Sequence, residues 1–362
     1  MKIKKKTLKE INGLNIFFLE CGKRSHKKTD IILFLHGFPE LSYSFRHLML
    51  LFAKKGYYCV APDQRGYGET TLSKNFKDKI INYSIFNLTK DIHDLIVKLG
   101  FKKVNIVGHD FGSYVAGYFS ILYPQLTKSL SLMSMPFEGT PSQKTRFDHK
   151  LINKKLNTIK PARKHYQIYF SNKTANRNMT DCKQGVFNFL RAYYHFKSFD
   201  YKDNKPHKLK SISPQELIKM PEYYIMRKSL GMAQTVKKYM PNKREIESCQ
   251  WMTNKDLKVY SDSFIKNSFK APLNWYKMML DEKEKKSILN IKLPNFSTVP
   301  VIFLAGTADW GVYQKPGQLE NMKKFFKKFF GFILIKKAGH WVQQEKPKET
   351  FQAIYNFYKE LP

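Results

Sequence analysis

Asp110 stands at the apex of Val107-Gly108-His109-Asp110-Phe111-Gly112, where the pattern Gly-x-nucleophile-x-Gly calls for a sharp turn between a buried strand and a helix. Such a turn holds its central residue in a strained backbone conformation with the side chain exposed. Glycine is needed at 108 and 112 because the strand and helix approach too closely for a Cβ. A carboxylate at the apex can attack a saturated carbon and form an ester with the protein, chemistry that suits epoxides and alkyl halides better than carboxylic esters. The competing reading of the same aspartate is a plain helix N-cap.

An enzyme ester needs a base to activate water and an acid to orient that base. His340, in Lys337-Ala338-Gly339-His340-Trp341, is the candidate base, and Asp309, in Gly306-Thr307-Ala308-Asp309-Trp310, the candidate orienting acid. Glu138, in Pro136-Phe137-Glu138-Gly139, is the alternative acid. The chain order nucleophile, acid, histidine is that of α/β-hydrolases. The oxyanion that develops when the ester is attacked requires backbone donors. The amides of Phe38, in His36-Gly37-Phe38-Pro39, and of Phe111 are the candidates. The turn Asp63-Gln64-Arg65-Gly66-Tyr67-Gly68 is assigned no chemistry.

These residues need a scaffold that brings distant loops to one place. Strand-like runs at 16–19, 31–35, 57–61, 103–107 and 129–133 alternate with helical patterns at 42–54, 84–99 and 112–122. That alternation calls for a parallel sheet with crossover helices. From 137 to 293 strands disappear, and aromatic, methionine and lysine residues recur at helical intervals, as in 185–196 and 256–264. Strand character returns at 299–305 and 331–335, with helices near 316–329 and 347–360. The expected fold class is therefore α/β, a mostly parallel sheet flanked by helices and interrupted by a mostly helical lid. The expected domains are a core in two parts, 1–136 and 294–362, and a lid over 137–293.

The 362 residues are ample for a large buried core. A formal net charge of +35 raises the question of nucleic acid, but only nine of the 64 basic residues are arginine. The lysines run along the whole chain without a recognisable binding motif, so no specific nucleic-acid partner is expected. There is no apolar run long enough for a membrane span and no signal-peptide core near the lysine-rich start, which points to a cytoplasmic protein. Cys21, Cys59, Cys182 and Cys249 show no paired spacing, and neither a metal site nor a disulfide framework is expected.

With these residues in view, the chain resembles an α/β-hydrolase of the epoxide hydrolase family over nearly its whole length. His36-Gly37-Phe38-Pro39-Glu40 followed by Tyr43-Ser44-Phe45-Arg46 resembles the family's oxyanion segment, Asp63 to Gly68 its next loop, Gly108 to Gly112 its nucleophile turn, and Gly339-His340-Trp341 its base. In the lid, Tyr166-Gln167-Ile168-Tyr169-Phe170 and Leu273-Asn274-Trp275-Tyr276 resemble the segments carrying the family's two tyrosines, which implies that Tyr166 and Tyr276 hold the epoxide oxygen. Tyr169, Tyr193 and Tyr194 are rivals in the same lid. His36, Gln167, Trp275 and Trp341 are the expected substrate contacts. The residue after the nucleophile, usually tryptophan in the family, is here Phe111, which removes an indole NH and favours an epoxide over a halide.

The resemblance implies hydrolysis of an apolar epoxide to a vicinal diol with no metal or organic cofactor. The expected partners are a small epoxide and water, with self-association into a homo-oligomer left open. Haloalkane or haloacid dehalogenation by the same aspartate is the nearest alternative, and a hydrolase-fold binding module without turnover is another. The basic stretch 144–164 could bias the entrance toward anionic substrates.

Overall fold

The computed structural model describes residues 1–24, 31–140 and 147–361. The chain begins with two antiparallel strands, β1 (Lys4–Ile11) and β2 (Leu14–Cys21), followed by β3 (Ile31–Leu35), β4 (Tyr58–Pro62), a short β5 (Thr71–Leu72), β6 (Val104–His109) and β7 (Thr127–Met133). Between them run α1 (Arg46–Lys54), α2 (Ile85–Lys98) and α3 (Phe111–Leu122). Between β7 and β10 the described residues hold ten α-helices and a separate two-stranded sheet. They are α4 (His149–Leu156), β8 (Arg163–His165), α5 (Tyr166–Phe170), α6 (Thr174–Thr180), α7 (Gly185–Lys197), α8 (Pro214–Leu217), β9 (Ile225–Arg227), α9 (Met232–Lys237), α10 (Lys243–Ser248), α11 (Asn254–Asn267), α12 (Lys270–Met279) and α13 (Glu282–Asn290). The chain then returns to the sheet with β10 (Val301–Gly306), α14 (Gln318–Phe325) and β11 (Phe329–Ile335), and closes with α15 (Val342–Glu345) and α16 (Pro347–Glu360).

The main sheet runs β1-β2-β4-β3-β6-β7-β10-β11, with β5 on β2. From β4 to β11 every pairing is parallel, while β2 is antiparallel to β1, β4 and β5. The inner strands are apolar on both faces because helices cover both. Ile32 and Phe34 of β3 face a core built with Leu48, Phe52, Ile354 and Phe357, from α1 and α16. Leu33 and Leu35, one residue out of phase, face Leu95, Val115 and Phe119, from α2 and α3. This second core continues without a break into the lid, through Tyr166, Phe189 and Trp275.

The lid differs from the sequence expectation in one respect. Strands do not disappear there: β8 and β9 form an antiparallel pair, with Lys164 opposite Met226. Three-residue strands carry no alternating pattern, and Arg163-Lys164-His165 is too basic to read as a strand. The pairing comes from the backbone. Of the basic stretch 144–164, residues 144–146 lie outside the described residues, and Lys150, Lys154 and Lys155 lie on α4.

Close approach of the elbow helix to the sheet rests on Gly112. A Cβ there would lie 1.9 Å from the Leu35 carbonyl oxygen. Because that neighbour is buried backbone and not a flexible side chain, Gly112→Ala is expected to cost at least about 2 kcal/mol of unfolding free energy. Denaturant unfolding checks this, and an unchanged midpoint would contradict it.

Candidate active site

β6 ends in His109 and α3 begins at Phe111, so Asp110 must turn the chain in a single residue. It does so at φ +52° and ψ −118°, a conformation in which a side chain is strained. The neighbouring glycines make room. A Cβ on Gly108 would meet the Gly112 carbonyl oxygen at 2.5 Å, and one on Gly37 would meet the Asp110 Cβ at 2.4 Å. Met133 of β7 fixes the turn from the other side by accepting the Asp110 amide at 3.1 Å.

The carboxylate is divided between two neighbours. Its Oδ1 accepts the Phe38 amide at 3.1 Å, and its Oδ2 lies 3.6 Å from His340 Nε2. The amide of Phe111 heads α3, where the first N–H groups have no partner within the helix. His340 sits on the loop after β11, and its Nδ1 lies 3.1 Å from Asp309 Oδ1 on the loop after β10. Those two loops are pressed together at Gly306, where a Cβ would be 2.2 Å from the Gly339 oxygen. Asp309 also accepts the Gly311 amide at 2.7 Å. Glu138 stands elsewhere, paired with Lys315 and accepting from Asn321.

Burial lowers the pKa of His340 from its ordinary value, and the nearby Lys197 ammonium lowers it further, while Asp309 opposes both. For Asp309, burial works toward a higher value, but His340 and the Ser134 and Gly311 donors outweigh it and hold the carboxyl low. Both directions favour a neutral imidazole beside an ionised Asp309. A neutral imidazole that gives its Nδ1 hydrogen to Asp309 turns the lone pair of Nε2 toward Asp110.

Lid aromatics close over this centre. The Tyr276 ring packs at 4.7 Å from Phe111, 5.5 Å from Phe38 and 4.8 Å from Phe170, and 6.2 Å from the ring of Tyr166. Burial, and next the charge of Asp110, push the pKa values of both phenols up, so both hydroxyls keep their protons. Their partners differ. Tyr166 donates to Gln314 at 3.0 Å and accepts from Gln167 at 3.2 Å. The Tyr276 hydroxyl makes no hydrogen bond to another described side chain. Of the rivals, Tyr169 donates to Asn178 and Tyr194 to the Pro39 carbonyl, so both serve structure. Tyr193 is fully buried and feels the charge of Asp110 after burial, which keeps it in the neighbourhood of the site.

Three expected substrate contacts have their polar atoms engaged by the protein itself. His36 is completely buried: its Nε2 accepts the Gln64 amide at 3.1 Å and its Nδ1 lies 2.9 Å from the Gly37 oxygen. It therefore supports the Gly37–Phe38 turn from behind and does not present a group to substrate. The indole of Trp275 donates to the Arg65 carbonyl at 2.9 Å and leaves only its ring, 5.4 Å from Phe111, as a wall. Trp341 likewise donates to the Tyr194 carbonyl at 2.9 Å and packs its ring 4.6 Å from His340.

The sequence did not single out what lies beneath His340. His109, next to Asp110, places Nδ1 2.5 Å from Glu40 Oε2 and donates through Nε2 to the His340 carbonyl at 2.8 Å. Glu40 also accepts from Gly37, Gln343 and Gln344. Burial raises the Glu40 carboxyl, but His109 more than reverses this; burial lowers the His109 imidazole, but Glu40 more than reverses that. Both residues lie within motifs visible in the sequence, yet their pairing across 69 positions has no local signal. Among the described residues no group of three or more His, Cys, Asp or Glu is arranged to hold a metal, and no helix is long and apolar enough to cross a membrane.

The Glu40–His109 ion pair has a stability signature. Glu40, held below its ordinary value, stabilises the fold above the unfolded carboxylate pKa, and that contribution is lost as pH falls through the depressed value. His109, held above its ordinary value, stabilises below about pH 6.5, and that contribution is lost as pH rises through the elevated value. Glu40→Gln is expected to cost about 3 kcal/mol near pH 6. The deficit should shrink as His109 loses its proton in the native protein. A deficit that stays constant from about pH 5 to about pH 9 in denaturant titrations would contradict an ionised pair.

Comparison with known proteins agrees with this geometry. Residues 30–162 match the family described as alpha/beta hydrolase fold. The chain is 29% identical over 331 residues to epoxide hydrolase 1 of Caenorhabditis elegans, covering 90% of this chain and 64% of that protein. It is 26% identical over 361 residues to epoxide hydrolase A of Mycobacterium tuberculosis, covering 97% of this chain and 96% of that one. The structure of potato (Solanum tuberosum) epoxide hydrolase I superposes with a TM-score of 0.77 at 25% identity, covering 99% of this chain and all of the potato chain. In strand order, elbow and whole-length similarity this chain has the α/β-hydrolase fold and is similar to the epoxide hydrolases.

Proposed function

We propose that the protein hydrolyses an apolar epoxide to a vicinal diol through an ester on Asp110. The observation that carries this reading is the division of the Asp110 carboxylate, with Oδ1 at the Phe38 amide and Oδ2 on the side of His340. In the first step Oδ2 attacks an epoxide carbon, the ring C–O bond breaks, and the departing oxygen takes a proton from a lid phenol. Tyr276 has its hydroxyl hydrogen uncommitted among the described residues, whereas Tyr166 must exchange Gln314 for the substrate oxygen. In the second step His340 takes a proton from water, whose oxygen attacks Cγ of the ester. Charge gathers on Oδ1, where the amides of Phe38 and Phe111 stabilise it. Collapse breaks the bond between Cγ and the alkyl oxygen, which receives the proton from His340 and leaves as the second hydroxyl of the diol, while the water's other proton, left on the Asp110 carboxyl, returns to the lid phenolate.

Asp309 holds the tautomer and stabilises the imidazolium as it forms. Its 3.1 Å contact with His340 supports it over Glu138 in that role. The rings of Phe38, Phe111, Phe170 and Trp275 around the phenols support an apolar substrate. Phe111 offers no NH beyond its amide, which favours epoxide over halide. The reading includes a lid over 137–293, as the run of helices between β7 and β10 supports, and a cytoplasmic location, for which the four free thiols are the support.

Two substitutions test the steps separately. His340→Gln should still be alkylated but fail to release product, so mass spectrometry should find Asp110 carrying one substrate equivalent; an unmodified protein after prolonged exposure to epoxide would contradict the sequence of steps. Tyr276→Phe should slow formation of that adduct by about 10²-fold or more without slowing its hydrolysis to the same extent. Equal slowing of both would remove Tyr276 from the ring-opening step.

A further inference from the structure

Lysine is almost never fully buried without an acidic partner. Lys197, the last residue of α7, is 3% exposed and has no carboxylate in ion-pair contact among the described residues. Its ammonium is instead surrounded by π-systems, 5.1 Å from the ring centroid of Trp341, 5.3 Å from Tyr193, 5.4 Å from Tyr224 and 5.6 Å from Tyr223. Such faces attract a cation and replace part of its lost hydration.

The cage is fastened to the catalytic base. The Lys197 carbonyl accepts the His340 amide at 2.9 Å. At Gly339 a Cβ would lie 2.6 Å from that same carbonyl oxygen, so the end of α7 and the histidine loop are in backbone contact. Glu345 binds both segments, accepting the amides of Phe199 and Gly339 at 2.9 Å and of Trp341 at 3.0 Å. Trp341 carries the lysine over its ring and the His340 ring 4.6 Å away. The ammonium therefore has a fixed position relative to the imidazole, with little mobile solvent to screen it.

We propose that Lys197 is a positioning residue that acts on His340 through its charge, keeping the imidazole neutral and able to take a proton while the Asp110 ester is hydrolysed. This rests on the role given to His340 above. The groups that face His340 come from four elements: Asp110 from the elbow, Asp309 from the loop after β10, His109 from the end of β6 with Glu40 behind it, and Lys197 from α7. Asp110 and Asp309 favour the imidazolium, while Lys197 and His109 oppose it. When Asp110 becomes an ester its negative charge disappears, and the ammonium remains. The balance thus shifts toward a neutral base in the intermediate that needs one. The direction agrees with the lowered value of His340, for which Lys197 is the largest influence after burial. Lys197 is itself lowered by burial, and Asp110, Asp309 and Glu40 support its charge.

The test compares Lys197→Met and Lys197→Arg with the native protein by two readouts. One is the NMR titration of His340, which needs no substrate; the other is the pH profile of ester hydrolysis in single turnovers. Lys197→Met should move the His340 titration and the acidic limb of the profile upward together by about one unit, leaving the plateau at higher pH within about twofold. Lys197→Arg should keep both near their native positions. Loss of rate at every pH with an unmoved titration would overturn the proposal and make the lysine a packing element only. If Lys197→Met does not fold, Lys197→Gln, which keeps a polar side chain while removing the charge, takes its place in both readouts, and an unmoved His340 titration overturns the proposal. Absence of diol from every epoxide would refute the functional reading while leaving the titration result standing.

Discussion

The structure depends on one strained residue. Asp110 is held at φ +52° between the last residue of a buried strand and the first of a helix, and that backbone strain aims its carboxylate away from the sheet. Nothing local favours the conformation. It is maintained because Gly108 and Gly112 let the helix approach, because Met133 accepts the aspartate amide, and because Gly37 leaves space for its Cβ. Once the apex is fixed, the two carboxylate oxygens have no equivalent surroundings: one meets a backbone donor and the other faces the imidazole. A symmetric group becomes a directional one through its surroundings.

Beneath the apex lies a set of buried charges that would be costly in isolation. Glu40 and His109 compensate each other, and Gln343 and Gln344 fill the remaining acceptor capacity of the carboxylate. Through Nε2 of His109 the pair also holds the backbone of His340. The lid contributes from above with the same economy of polar groups. Tyr194 is bonded to the Pro39 carbonyl, Trp341 to the Tyr194 carbonyl and Trp275 to the Arg65 carbonyl. These bonds join lid to core while leaving ring faces toward the centre. A low-dielectric pocket in which Phe38 and Phe111 offer amides is where fixed dipoles are most effective on a developing oxyanion.

How much was legible in the sequence followed the range of the interaction. The elbow could be read because both glycines lie within two residues of Asp110. The parallel sheet could be read because strands covered on both faces are uniformly apolar, as in Ile31–Leu35 and Val301–Gly306. Asp309 and His340 were approached through chain order, and Tyr166 and Tyr276 only through resemblance. What stayed hidden was set by contacts between distant segments. The partner of Tyr166 is Gln314, 148 positions away, and the cage of Lys197 draws rings from positions 193, 223, 224 and 341. The strands β8 and β9 are too short to set a period. His36 was misplaced for a different reason: residue type suggested a polar contact, but its ring nitrogens are both engaged by backbone in the buried turn.

The central claim is that Asp110 is the atom donor in an ester mechanism, with water attacking the protein and not the substrate. A single turnover of an aryl epoxide in heavy-oxygen water, with the enzyme in excess, tests this most directly. The account predicts heavy oxygen in the peptide containing Asp110 and an unlabelled diol, because the diol oxygen comes from the carboxylate. Heavy oxygen in the diol with none in Asp110 would mean direct attack by water and would contradict it.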